Sequence, residues 1–314
     1  MASFNVVNYS LRPSKSIQRQ LVFGGIGRLQ TDLDLERMIY VGFGSIWFTD
    51  FVMAHKLLGV RDMISIEGNE VGYRRALFNA PFATVAVKQG YSGAVLPEMF
   101  VDPALRDRPW LIWLDYDYEL NEAVRDDLRS VVENAPANSI LLCTVNGLER
   151  KYGQAQERPN RLREILGDVV PDDLGKDACK GDRMQETIAG LTLDYLTSAA
   201  AEIARPGGFV PAFRIIYQDG APMVTVGGIL PAKGAARIAS DAIGKEQWPC
   251  LPSAPIKAPH LTMREAAVLQ SQLPRDERLT RPLVRKLGFD LEDHELEAFE
   301  AYYRQYPAFA QIVA

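Results

Sequence analysis

The stretch from Met38 to Glu67 constrains the fold most. The apolar run RMIYVGF leads into Gly42-Phe43-Gly44-Ser45, a helical stretch SIWFTDFVMAHKLLG closed by Gly59, and a second apolar run DMISIE. An apolar run, a glycine turn, an amphipathic helix and another apolar run make a strand, helix, strand unit. Such units build parallel sheets. Glycine at the strand-to-helix turn lets backbone approach a ligand closely, and the free amides of a helix N-terminus can meet its polar groups. Glu67 ends the second strand 25 residues after Gly42, where a carboxylate can accept hydrogen bonds from both hydroxyls of a ribose. The unit therefore predicts a nucleotide-binding domain. A plain tight turn and a helix-capping acid would leave the same trace.

The alternation continues. A helix is expected from Glu70 to Asn79, then strands at ATVAVKQ and WLIWLDY, the latter apolar on both faces as in a sheet covered by helices on both sides. A polar helix from Glu119 to Asn134 and the strand NSILLCTVNG follow, and residues 153–206 read as helical. FVPAFRIIYQ and APMVTVGGIL are β-rich and separated by Asp219-Gly220, a hairpin signal. From Pro231 onward the pattern is helical, with Thr262 and Glu265 forming a capping box. Upstream of the first unit, Ile17, Leu21 and Val22 mark a short helix ending in a glycine-rich turn, and Arg12, Lys15, Arg19 and Arg28 read as a solvated basic segment.

Bulk properties narrow the class. With 314 residues, 47% of them hydrophobic and 24% charged, the chain can bury one sizeable core plus a subdomain, which excludes disordered and collagen-like classes. No run approaches the roughly 18 apolar residues of a membrane helix, and MASFNVVNYSLRPSK has no apolar core of a secretory signal, so a cytoplasmic location with no membrane association is expected. Cys143, Cys179 and Cys250 are far apart and odd in number, against a disulfide framework or paired zinc ligands. His55, His260 and His294 are isolated, which speaks against a catalytic triad, and no metal site is expected.

On these residues the chain resembles the class I S-adenosylmethionine-dependent methyltransferase superfamily over residues 35–230. YVGFGS at 40–45 is similar to the family's first motif, SIEGN at 65–69 to its acidic ribose-binding motif, and WLDYDYEL at 113–120 to its fourth-strand motif. Five strands of βα type followed by a hairpin match the family's strand plan rather than a dehydrogenase's. The implied architecture is a Rossmann-like α/β three-layer sandwich whose mostly parallel seven-stranded sheet ends in an antiparallel hairpin. The implied division is an N-terminal extension or lid at 1–34, the methyltransferase domain at 35–232 and a helical C-terminal subdomain at 233–314. Two departures stand out: Tyr40 occupies the position of an acid that organises the cofactor's methionine end in the family, and Ile46 replaces a third glycine.

The resemblance implies S-adenosylmethionine as cofactor, held by Gly42, Phe43, Gly44, Ser45, Glu67, Gly68, Asp115 and Tyr91, the last stacking on the adenine. Side chains at the carboxyl ends of strands line the crevice of an open α/β sheet, so Asp115 and Asp117 are candidate catalytic acids, with Lys15 beside them if the N-terminal segment folds over the site. Tyr9 and Arg19 are further lid candidates. A net charge of -5 favours a small-molecule acceptor over nucleic acid, and a homodimer is compatible with the pattern. Arg281, Arg285 and Lys286 read as a solvated helix face. Two other readings compete: a methyltransferase-like scaffold without catalysis, favoured by Tyr40, and an NAD-dependent oxidoreductase, disfavoured by Trp47 in the glycine spacing and by the terminal hairpin.

Overall fold

A computed structural model describes residues 12–33, 35, 37–246 and 248–307; Tyr9 lies outside the described residues. The strands are β1 (Ile39–Gly42), β2 (Met63–Glu67), β3 (Val85–Gln89), β4 (Trp110–Glu119), β5 (Ser139–Asn146), β6 (Val210–Gln218) and β7 (Pro222–Leu230). They form one sheet in the order β3-β2-β1-β4-β5-β7-β6. All neighbours run parallel except β7, which is antiparallel to both β5 and β6. The turn at Asp219-Gly220 thus reverses the chain and inserts β7 between β5 and β6, as the hairpin signal requires.

Among the described residues the helices are α1 (Pro13–Asp32), α2 (Thr49–Leu58), α3 (Glu70–Asn79), α4 (Ser92–Phe100), α5 (Glu122–Asn134), α6 (Arg158–Leu166), α7 (Asp182–Glu202), α8 (Ala236–Ile243), α9 (Met263–Gln270), α10 (Arg281–Leu287) and α11 (Asp293–Tyr302). Strand parity sorts them onto two faces. Ile112, Leu114 and Tyr116 of β4 share a core with Val124 and Leu128 of α5 and Ile188 of α7. Leu111 and Trp113 point the other way, into a core with Ile17, Val22 and Ile26 of α1 and Phe51 of α2. Val284 of α10 and Phe299 of α11 belong to that second core. Residues 250–256 run along the outer edge of β6, with Arg214 donating to the Cys250 carbonyl and Gln218 to that of Ile256. This cover satisfies an edge that would otherwise template pairing with another chain.

α1 differs from the expected short helix and turn. It is one 20-residue helix that continues through Gly24 and Gly25. Gly25 is needed for packing: a Cβ there would sit 2.4 Å from Cys250 Sγ. Of the four basic residues, Lys15 and Arg19 are buried and not solvated, whereas Arg12 is half-buried and Arg28 exposed. The helix is buried along its apolar stripe of Ile17, Leu21, Val22, Ile26 and Leu29, and its buried polar side chains Lys15, Gln18 and Arg19 find partners on the sheet and on α2. Pro13 at the first position presets the helical φ. Asp219, in the hairpin turn, then caps the helix from across the fold: its two carboxylate oxygens accept from the amides of Ser14 at 2.8 Å and Lys15 at 2.9 Å. Asp219→Ala removes both acceptors from the positive helix end. The expected loss is about 1–2 kcal/mol in urea unfolding.

α2 begins at Thr49, later than the glycine turn led one to expect, because Ser45 and Phe48 take left-handed backbone conformations (φ 52° and 49°). Likewise β4 extends to Glu119 and α5 starts only at Glu122. Residues 153–206 hold α6 and α7 joined by short 3-10 turns rather than one continuous helix.

Candidate functional site

A cleft of about 530 Å³ opens at the carboxyl ends of β1, β2 and β4. It gathers Lys15, Phe43, Gly44, Ser45, Glu67, Gly68, Tyr91, Asp115 and Asp117 onto its lining, residues scattered over a hundred positions of sequence. Gly42 is not on that lining. It is buried, and a Cβ on it would lie 3.0 Å from the Tyr40 hydroxyl and 3.2 Å from the Trp113 carbonyl, so its small size serves packing.

At one end stands Glu67, on the last residue of β2. Its Oε1 accepts from the Asn69 amide at 2.9 Å, while Asn69 caps α3 through Gly72 N at 2.9 Å. Gly72 leaves room for the carboxylate, since a Cβ there would come within 2.7 Å of it. The exposed Tyr91 ring lies over Gly68, where a Cβ would be 2.6 Å from the ring. Together these give a carboxylate beside an aromatic face, suited to a polar ring with vicinal hydroxyls. Burial raises the pKa of Glu67 despite the Asn69 amide, which works the other way. A carboxylate whose folded pKa lies above its unfolded one contributes stability at low pH, and that contribution is lost as pH rises through the folded value. Glu67→Gln is therefore expected to be at least as stable as the parent at pH 7 in urea unfolding, and to lose nucleoside affinity.

In the middle, Asp127 of α5 is buried and accepts from Ser92 Oγ and from Tyr116 Oη at 2.6 Å. Burial, then the Asp127 charge, pushes the Tyr116 phenol well above its ordinary range. This pair ties the loop after β3 to β4. It stiffens the wall between the two ends of the cleft.

At the other end lies the α1 rim. Parity puts Asp115 on the same face of β4 as Trp113, toward α1, and Lys15 Nζ meets its Oδ2 at 2.7 Å. One turn along, Arg19 Nε pairs with Asp50 in the first turn of α2. Between them Gln18 donates to Thr225 Oγ1 (3.1 Å), which shares a hydrogen bond with Thr144 Oγ1 (2.8 Å), itself accepting from Trp113 Nε1 (3.0 Å). Residues 15, 18 and 19 share a helix face, and each finds its polar partner on the sheet or on α2.

Asp117 does not join Asp115. The pairing of β4 with β5 slips between Asp115 and Glu119, and the bulge leaves Asp117 and Tyr118 exposed at the cleft's rim. Bulges of this kind re-aim side chains next to functional sites. Asp50, Tyr217, Asp219 and Asn146 also line the cleft, and sequence reasoning did not assign them there. Asp50 left one faint signal, an acid at the start of an otherwise apolar helix; Tyr217 left none, because an aromatic in a strand is ordinary core. Tyr40 is buried within an aromatic cluster, its ring 4.8 Å from that of Phe51 in an edge-on contact. Burial and the nearby Asp50 hold its phenol neutral, well above the usual range. No described residues form a cluster able to hold a metal ion, and no helix among them is long and apolar enough to cross a membrane.

The glycine turn at β1, the acid closing β2, the cleft above β4 and a sheet ending in an inserted antiparallel strand together define a class I methyltransferase domain. Residues 7–314 match the family described as "Putative O-methyltransferase", and the chain belongs to that family. No curated relative matches it. Solved structures with a similar sheet include Trm1 from Pyrococcus horikoshii with S-adenosyl-L-methionine, at 13% identity and a TM-score of 0.48, over 72% of this chain and 57% of that one. This chain thus spans little more than half of the Pyrococcus protein. Another is the O-methyltransferase from Bacillus cereus in complex with SAH, at 14% identity and a TM-score of 0.35, covering 66% of this chain and 80% of that one.

Proposed function

We propose that this chain transfers a methyl group from S-adenosylmethionine to a hydroxyl of a small molecule. The observation that carries the reading is that one cleft holds two differently equipped ends: Glu67 with Tyr91 at β2 and β3, and Asp115 with Lys15 at β4. The first end fits a nucleoside. An unmet polar group there supports the fit: Ser45 Oγ is buried with no partner among the described residues, and the half-buried Glu67 carboxylate on the same lining has its pKa raised by burial. When bound, S-adenosylmethionine supplies an electrophilic methyl group.

In this reading Gly44 and Ser45 hold the cofactor's middle, Glu67 accepts from the ribose hydroxyls, and Gly68 and Tyr91 flank the base. Asp115 accepts the proton of the acceptor hydroxyl, and Lys15 keeps that carboxylate oriented. Asp117, at the rim, meets the acceptor on its way in. Methyl transfer needs alignment first and a base second, and the rigid α1 contacts supply the alignment. The membership in an O-methyltransferase family supports oxygen as the methylated atom. The paired acids and bases of the cleft leave no broad cationic groove, which favours a small acceptor over nucleic acid.

The test is direct. The purified protein, given methyl-labelled S-adenosylmethionine and a panel of phenols, catechols and aliphatic alcohols, should label at least one by mass spectrometry. Absence of any heat or thermal shift with millimolar S-adenosylhomocysteine would sink the reading. A scaffold without catalysis keeps one supporting observation, the replacement of the family's acid by the buried Tyr40. It predicts cofactor binding without label transfer.

A further inference from the structure

We infer that Arg19 and Tyr217 form a carboxylate-binding subsite on the floor of the cleft, filled by an acid group of a bound ligand. Both residues line the cleft. Arg19 is 5% exposed and Tyr217 2% exposed, yet Arg19 Nη1 and Tyr217 Oη are buried with no hydrogen-bond partner among the described residues. A buried donor left unpaired costs a substantial part of its hydration energy, and native structures rarely keep two on one cleft lining without a use.

The neighbouring charges are already spoken for. Asp50 takes Arg19 Nε, Asp115 takes Lys15, and the carboxylate of Asp219 is engaged by the amides of Ser14 and Lys15. What remains is a pair of donors. Arg19 can only donate. Tyr217 keeps its proton because burial, then Asp115, pushes its phenol well above the ordinary range, with Arg19 pulling the other way. Burial works against the Arg19 charge, but Asp50, Asp115 and Tyr217 together raise its pKa above the ordinary value, so it stays protonated. Two donors on one cleft lining, one cationic and close enough for the groups to interact electrostatically, suit the oxygens of a carboxylate, for which charge-assisted bonds are strongest. The elements that build the pair come from opposite ends of the chain: Arg19 from α1 and Tyr217 from β6, which α1 contacts.

Two sources could supply the acid, the amino-acid end of the cofactor or a carboxylate on the acceptor. The inference rests on the methyltransferase reading, and the experiment separates them. S-adenosylhomocysteine and 5′-methylthioadenosine, which lacks the amino-acid end, are titrated calorimetrically into the parent protein, Tyr217→Phe and Arg19→Lys. Benzoate and benzamide are then titrated into each protein saturated with S-adenosylhomocysteine. Tyr217→Phe deletes a hydroxyl that has no protein partner, and Arg19→Lys keeps a cation beside Asp50, so both variants should unfold at the parent's midpoint.

If the cofactor supplies the acid, both variants lose about tenfold to a hundredfold in S-adenosylhomocysteine affinity and bind methylthioadenosine as the parent does. If the acceptor supplies it, S-adenosylhomocysteine affinity stays constant, while benzoate binds the parent better than benzamide does and loses that preference in both variants. Unchanged S-adenosylhomocysteine affinity with no preference for benzoate overturns the subsite and leaves the methyltransferase reading standing. Failure of the parent to bind either nucleoside overturns the methyltransferase reading, and the subsite with it.

Discussion

Asp115→Asn is expected to lower the rate of methyl transfer by about 10²- to 10⁴-fold, the range for loss of a positioned general base. The amide keeps the shape of the carboxylate but cannot take the acceptor's proton. Affinity for S-adenosylhomocysteine should change little, because the base sits at the α1 end of the cleft and the nucleoside end is built by Glu67 and Tyr91. The measurement is therefore a pair: turnover on the labelled acceptor and calorimetric titration of the product nucleoside. An equal loss in both would mean that Asp115 organises the whole cleft and does not act in the chemistry. Lys15→Met, which removes the partner 2.7 Å away, should lower turnover as well by letting the carboxylate swing.

Arg19→Met should be the most damaging change to stability, by about 3–5 kcal/mol, since it strands a buried charge. Arg19 and Asp50 are both nearly solvent-free, with side-chain exposures of 6% and 9%. A surface pair would be worth far less. The loss should be largely recovered in the double variant Arg19→Met with Asp50→Leu, because replacing both members of a buried pair by apolar groups of similar size is often neutral. Urea unfolding of the two singles and the double gives the coupling directly. If Arg19→Met alone unfolds like the parent, water must reach Asp50, and the pair is not the sealed contact its burial implies.

Strands and helices were largely legible, because buried parallel strands leave continuous apolar runs and their helices leave a 3.6-residue period. β1, β2 and β5 fall within the apolar runs, β4 outruns its own as far as Glu119, and Gly59 closes α2 with a left-handed residue as expected. Boundaries were less so. The delayed start of α2 depends on Ser45 and Phe48 adopting positive φ, which nothing in their side chains advertises. α1 was misread for a related reason. Gly24-Gly25 is a turn signal by local propensity, but packing against Cys250 and Trp248 overrides propensity and makes a Cβ-free surface the requirement.

The site divides along the same line. Residues 43–45 and Glu67 could be marked from sequence because loop, strand end and helix start lie close together along the chain, so spacing carries the geometry, whereas Gly42, marked with them, packs beneath the cleft. Asp115 could be marked because strand ends line the crevice of any open α/β sheet. Its partner Lys15, 100 positions away, could be set beside it only through the family resemblance, as part of a segment folding over the site; by local pattern it reads as one of several surface cations. Asp219 announced only a turn, though it also caps α1 from 205 positions away. The sequence by itself thus determined the sheet, most of its helices and the Glu67 end of the cleft, all matters of local pattern. Only the tertiary structure decided that α1 is a buried wall of the site, that Asp117 bulges away from Asp115, and that Arg19 and Tyr217 line one cleft, because charge pairing and strand register across the fold have no signature in local sequence.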